Sequence, residues 1–240
     1  MIFEEYYGKL TDILEDVKNT QGEKIMAVAE LVAETIKNDG IIYIFGCGHS
    51  HLIGLDCFYR AGGLVNVSAM LDTDLMLHNG AAKSSKMEKM SGIAESVFER
   101  YCLTENDTLI VVSTSGKNAV PVEMAKVAAK NGIKNISVVS SAYFEDKTEG
   151  EKLYEISDIY IDNCVPHGDA VMDITGTDVK MGSVSTAASS FILQAVLLEA
   201  AENAAKSGKK VPIYMSGNIE GGADYNKALI KEYMPRIKHL

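Results

Sequence analysis

Apolar positions along the first part of the chain recur at helical spacing. Ile2, Phe3, Tyr6, Leu10, Ile13, Leu14 and Val17 form one stripe, and Ile25, Val28, Ala29, Val32, Ala33 and Ile36 form a second. Intervals of three and four residues place each set on a single helix face, and Thr20-Gln21-Gly22 between them predicts two helices with a break. From residue 41 the pattern changes to short runs rich in Ile and Val: 41–45, 64–68, 108–112, 136–139 and 159–161. Helical patterns over 52–61, about 86–101 and 119–131 separate most of them. Strands that are continuously apolar, rather than alternating, are covered on both faces, as parallel strands are. Strand and helix in alternation therefore predict an α/β fold, a doubly wound parallel sandwich of five strands.

Beyond the fifth run, residues 162–169 are polar and turn-rich, and a long helix is expected to start near Ser183 or Ser185. Phe191, Ile192, Leu193, Val196, Leu197 and Leu198 leave that helix almost no polar face before Glu199. A helix apolar nearly all round is covered by the core or by a second subunit, so a homodimer is expected. Residues 215–222 read as a loop before a last short helix. The chain thus divides into N-terminal helices (1–38), an α/β core with its long helix (39–206) and a C-terminal extension (207–240), expected to form one domain.

Two turns carry the chemistry. Ile110-Val111-Val112 runs into Ser113-Thr114-Ser115-Gly116-Lys117-Asn118, and a helical segment follows at once. A buried strand that ends in hydroxyls and a glycine before a helix start is built for an anion. Gly116 lets the backbone approach a ligand, the hydroxyls of Ser113, Thr114 and Ser115 donate, and the first amides of the next helix are expected to point at the same spot. The second turn is Gly46-Cys47-Gly48-His49-Ser50-His51, after the first strand. In a doubly wound sheet ligands sit over the carboxyl ends of the central strands, so the two turns should face one crevice.

Other readings of these residues fail or stay open. A dinucleotide fingerprint needs glycine where His51 stands, although Asp72 could imitate its acidic ribose ligand. A nucleotide-triphosphate loop aligned on Gly116-Lys117 has Val111 for its first glycine and Asn118 for its last hydroxyl. His49 and His51 beside Cys47, with His167 and Asp169 elsewhere, have no diagnostic metal spacing, so no metal is assigned. Neutral imidazole as a proton shuttle is the stronger reading for His51, and His78 is ambiguous. Glu88, read as early in its helix, is either a partner for the helix dipole or a group that reaches the crevice.

Charge and cysteine usage narrow the ligand. A formal net charge of −10 over 240 residues disfavours nucleic acid, which wants a broad basic face. A single phosphate needs only a local positive potential. No apolar run is long enough to span a bilayer, and Glu4, Glu5, Lys9, Asp12, Glu15 and Asp16 rule the first residues out as a signal-peptide core, so a cytoplasmic protein is expected. Cys47, Cys57, Cys102 and Cys164 form no C-x-x-C pair and read as packing residues.

With Gly46-x-Gly48-x-Ser50 after the first strand and Ser113-x-Ser115-Gly116-x-Asn118 after the third, the chain resembles the sugar isomerase (SIS) domain family over residues 23–205. The stretches 161–170, Val184-Ser185-Thr186 and Met215-Ser216-x-Asn218 are similar to a group of stand-alone SIS proteins related to phosphoheptose isomerase. Residues 180–186 also resemble an etherase acting on N-acetylmuramic acid 6-phosphate. The resemblance implies a five-stranded flavodoxin-like sandwich that binds a phosphorylated sugar. It assigns the phosphate to Ser50, Ser113, Ser115 and Asn118, with Gly48, Thr114, Gly116 and Ser185 in the substrate site. Phosphoheptose isomerases also use a glutamate and a histidine in the last long helix, where this chain offers only Gln194. A glutamine cannot relay a proton, so the expected catalytic set is Glu88 with His51 or His167, working without metal or organic cofactor. A sugar-phosphate sensor and a lyase are the alternatives.

Overall fold

The computed structural model describes residues 1–148 and 150–240. Five parallel strands, β1 (Ile42–Gly46), β2 (Val67–Met70), β3 (Thr108–Val112), β4 (Lys134–Val139) and β5 (Ile159–Asp162), lie side by side in the order β2-β1-β3-β4-β5. The order reverses between β1 and β3, whose register pairs Gly46 with Val112. A sheet wound in both directions from such a point opens a crevice at the carboxyl ends of those two strands. β1, β2 and β3 are buried along their whole length, the continuous apolarity expected of a sheet covered on both sides.

Alternate residues along each strand serve opposite layers. Ile42, Ile44, Val67, Ile110, Val112, Ile136, Val138 and Ile161 pack against α1 (Ile2–Lys37), α2 (His51–Cys57) and α7 (Ser185–Lys206). Tyr43, Phe45, Met70, Leu109, Val111 and Val139 face α4 (Ile93–Glu99), α5 (Ala119–Lys130) and α8 (Gly222–Tyr233). The C-terminal extension belongs to this second layer, through Tyr214, Tyr233 and Ile237.

Several boundaries depart from the sequence expectation, each for a tertiary reason. Residues 2–37 form one helix rather than two. Gly22 within a helix costs about 1 kcal/mol, and the contacts of its neighbours outweigh that. Gln21 is buried, accepts a hydrogen bond from the Asp162 amide at 3.1 Å, and donates to Thr20, whose hydroxyl donates to the Asp16 carbonyl. The helix expected over 86–101 is instead two, α3 (Ala81–Met87) and α4, with Gly92 in the left-handed region at φ 88° between them. The corner is pinned onto the start of α5. The Val120 amide donates to the Glu88 carbonyl at 3.0 Å, and the Gly92 amide donates to Glu123 Oε2 at 2.8 Å.

β2 begins later than the 64–68 run, because Leu64 bridges Ile213 and the Val65 amide donates to the Pro212 carbonyl. The polar segment after β5 contains a short antiparallel pair, β6 (Ala170–Met172) and β7 (Met181–Ser183), which the sequence pattern did not reveal. Among the described residues no helix is long and apolar enough to cross a membrane.

Candidate functional site

The two turns leave the sheet side by side, from the paired ends of β1 and β3, a strand spacing of about 4.8 Å apart. After β1 the chain doubles back so tightly that a Cβ on Gly46 would lie 2.6 Å from the Ser50 carbonyl. Gly48 takes φ 56°, and a 3-10 turn over Gly48–Ser50 leads into α2. Ser50 and Gly48 are half-buried. His51 is buried, and its Nδ1 is bonded to the Gly48 carbonyl. A carbonyl only accepts, so Nδ1 carries the proton, and the lone pair of the neutral ring sits on Nε2. Burial holds this imidazole below the ordinary histidine range, against the Gly48 bond, which favours protonation; His78 and His49 push further downward. The His78 ring meets it edge-on at 6.2 Å.

The second turn is more deeply embedded. Gly116 is buried at φ 59°, and a Cβ there would sit 3.2 Å from Val139 Cγ1 and 3.6 Å from Leu153 Cβ. Its amide donates to Ser113 Oγ at 3.3 Å, so that hydroxyl spends a lone pair on closing the turn and keeps its proton for a ligand. Ser115 is half-buried, and among the described residues its hydroxyl has no protein partner. The amides of Thr114, Ser115, Lys117, Asn118 and Ala119 likewise meet no protein acceptor among the described residues. Together these groups form a nest of unspent donors around a turn.

One expectation about this nest needs correction. The α5 terminus supplies fewer amides than a generic helix start, because Val120 donates to Glu88 and Pro121 has no N–H. The free donors at this edge therefore come mostly from the turn amides and hydroxyls rather than from the helix. Lys117 stays on the rim in an ion pair with Asp146 at 2.5 Å.

Glu88 lies between the turns. It stands at the C-terminal end of α3 rather than early in a helix, which removes the helix-dipole explanation for a carboxylate there. Burial raises its pKa above the ordinary range, while a hydrogen bond with Asn118 and the charge of Lys89 oppose that shift. Asn118, on the second turn, is thus near enough to Glu88 to influence its carboxyl group. On the other side Glu88 is close enough to Cys47 to raise the thiol pKa, an effect second to burial. The structure thus gathers the Gly46–His51 turn, the Ser113–Asn118 turn and Glu88 at one sheet edge.

Two expected site residues fall elsewhere. The His167 ring stacks on Tyr143 at 4.4 Å and lies 3.4 Å from Asp146, with Lys117 on the same carboxylate, so its contacts do not join it to Glu88 or His51. Ser185 donates through its hydroxyl to Asp169 Oδ2 at 2.7 Å, while Asp169 Oδ1 accepts from the Val184 and Ser185 amides. Asp169 thus satisfies the first amides of α7, and the serine hydroxyl is spent on that carboxylate. Among the described residues no group of three or more His, Cys, Asp and Glu has the closeness of a metal site.

A further residue organises the site. Asn163 is fully buried and donates to Thr114 Oγ1 at 3.4 Å and Ser189 Oγ at 3.3 Å, while its carbonyl oxygen accepts from the Val165 amide. It ties the second turn to α7. A lone asparagine among Asp162, Cys164 and Pro166 carries no sequence signal for this role. Gln194 on α7 donates to Asp56 Oδ2 at 3.2 Å, beside the Ser190 hydroxyl at 2.8 Å on the same oxygen.

Comparison with known proteins gives a consistent result. A family model described as SIS domain matches residues 5–140. A UPF0309 protein of Caldanaerobacter subterraneus is 39% identical over 242 residues, covering 98% of each chain. A phosphoheptose isomerase from Francisella tularensis superposes with a TM-score of 0.58 at 16% identity, over 83% of this chain and 96% of that one. The NanR protein of Vibrio vulnificus, in complex with ManNAc-6P, superposes with a TM-score of 0.50 at 12% identity, over 100% of this chain and 71% of that one.

Proposed function

This chain belongs to the SIS domain family, and from that premise we propose that its crevice binds a phosphorylated sugar and interconverts the aldose and ketose forms. The observation that carries the reading is the nest of unspent donors at Ser113–Asn118 set beside a carboxyl group held in a partly buried place. Hydroxyls of Ser50, Ser113 and Ser115, the Thr114–Ala119 amides that have no protein acceptor and one N–H of Asn118 hold the phosphate. An anchor at that end lets binding energy position the reacting carbons at the other.

Glu88 acts as the base that moves a proton between adjacent carbons through an enediolate. A carboxylate whose pKa is raised by burial is a stronger base than a solvated one. His51, with Nδ1 locked on Gly48, offers Nε2 to the hydroxyl proton. His167 lies too far toward Asp146 to be preferred. Neither a metal nor an organic cofactor enters the scheme. Leu52, Leu55, Phe191 and Leu198 leave an apolar face across α2 and α7, with Leu198 67% exposed, and a second copy is the proposed cover in a cytoplasmic homodimer.

The test is incubation with a panel of phosphosugars in deuterated water, read by NMR. Deuterium at carbon 1 or 2, abolished in Glu88→Gln while ligand-induced thermal stabilisation persists, supports the isomerase. A second reading, a sugar-phosphate sensor, rests on Gln194: the resemblance calls for an imidazole in the long helix, and this chain has an amide there, bound to Asp56. Saturable binding without exchange would favour it, and a second released product would favour a lyase.

A further inference from the structure

At the opposite end of β1 and β3, where these strands begin, the C-terminal tail closes a cavity of about 250 Å³. Tyr43, Tyr101 and Thr104 line it together with Arg100, Arg236 and Lys238. The tail is not a loose basic end. Tyr233 and Ile237 are buried in the core, and Ile237, at 1% exposure, fixes the backbone between the two cations that flank it. Arginine and lysine held in place before a ligand arrives lose little freedom when it binds.

The charges in this cavity do not cancel. Asp107 is 1% exposed and already accepts from the Ile41 amide, the Thr104 amide, the Thr104 hydroxyl and the Arg236 guanidinium. Four donors fill a carboxylate, so it has nothing left for the remaining cations. Arg100 meets Asp72 through one nitrogen at 3.0 Å, with its side chain 44% exposed. Lys238 Nζ lies 3.5 Å from the Arg100 carbonyl and 5.9 Å from the Tyr101 ring centre, and among the described residues it forms no ion pair. Three cations against two carboxylates, both engaged, leave one positive charge in excess, in a chain whose net charge is −10. The neighbouring His239 imidazole is held below its ordinary pKa, first by burial and then by Arg100 and Lys238.

We propose that this cavity is a second anion site, for a compact phosphate group, either inorganic phosphate or the phosphoryl end of a small metabolite. Arg100 presents planar N–H donors, Lys238 an ammonium, and Arg236 a guanidinium already oriented by Asp107 and the Asp39 carbonyl, a set suited to a tetrahedral oxyanion. The site shares no residue with the crevice at the carboxyl ends and stands whether or not that crevice isomerises a sugar. β1 and β3 run directly from one to the other.

Cys102 lines the cavity and is exposed, whereas Cys47 and Cys57 are buried and Cys164 is half-buried. Alkylation of the full chain by iodoacetamide, followed at Cys102 by peptide mass spectrometry, therefore reports occupancy. Inorganic phosphate, or pyrophosphate in a parallel arm, should slow the reaction saturably relative to sodium chloride of equal ionic strength. Ser113→Ala, which weakens the other site, should leave the protection intact. Lys238→Gln should weaken it about tenfold in half-saturating concentration, the scale of one charge-assisted hydrogen bond, and Arg100→Gln should act similarly. Absence of saturable slowing, protection unchanged in both cation variants, or protection lost in Ser113→Ala would each overturn the proposal.

Discussion

The two turns at the carboxyl edge begin from paired positions of neighbouring strands and end with different jobs. Gly46–His51 is held together by its own atoms: Ser50 folds over Gly46, and His51 bonds back to Gly48. Ser113–Asn118 is held from outside. The Leu153 amide donates to the Gly116 carbonyl, the Ser140 amide donates to the Thr114 carbonyl, and Asn163 reaches in from β5. A turn stabilised from behind can leave its inward donors free, and it does. The self-contained turn instead fixes one imidazole tautomer. In the proposed function the externally braced turn is the anchor and the self-braced one the chemical partner.

Substitutions can break that division, and the largest effect is expected at Gly46. Gly46→Ala forces a methyl into the Ser50 carbonyl and should cost about 3 kcal/mol or more, the range of severe backbone and packing defects, seen as a large drop in Tm. Gly116→Ala should cost about 1–2 kcal/mol for the left-handed conformation alone, and should also displace Val139 and abolish phosphosugar binding by calorimetry. If Gly116→Ala bound ligand normally while Gly46→Ala did not, the roles of the two turns would be reversed.

Glu88→Gln is expected to lower turnover about 10²–10⁴-fold, the contribution of one positioned base, with little change in thermal stability. Because burial raises the Glu88 pKa, the acid limb of the rate profile should lie above the ordinary carboxylate value. A limb at or below that value would remove Glu88 as the titrating base. Ser113→Ala should weaken phosphosugar binding about tenfold, as expected for one lost hydrogen bond to a charged group, whereas Ser185→Ala should leave affinity unchanged and lower stability, since that hydroxyl serves Asp169.

The smallest effect concerns His51. Its pKa is lower in the folded chain than in the unfolded one, so the unfolded chain takes up the proton more readily. The stability this contributes is present above the ordinary histidine value of about 6.5 and is lost as pH falls through the folded value. The pH slope of unfolding free energy in that acidic window should be shallower in His51→Asn. An unaltered slope would mean that another group, such as the similarly shifted His239, controls it.

Much of the architecture was legible because burial on two sides leaves a strong imprint. The apolar runs at 41–45, 108–112 and 136–139 became β1, β3 and β4 with little change. Both turns were legible for a similar reason, since glycine and hydroxyl residues at a strand end have few other uses there. Where local propensity and tertiary contact disagreed, contact prevailed: α1 continues through Gly22 because Gln21 is bonded across to Asp162, and the expected 86–101 helix breaks because the Glu88 carbonyl and the Gly92 amide are bonded to the start of α5.

The sequence by itself determined the parallel sandwich and the two turns of glycine and hydroxyl residues at its strand ends, because periodicity and residue type act over neighbouring positions. Only the tertiary structure decided that the Glu88 carbonyl is bonded to the start of α5, that His167 and Ser185 are occupied by Asp146 and Asp169, and that Asn163 braces the second turn. Those outcomes depend on which distant donor reaches which acceptor once the sheet has closed, and no local pattern of side chains specifies such a meeting.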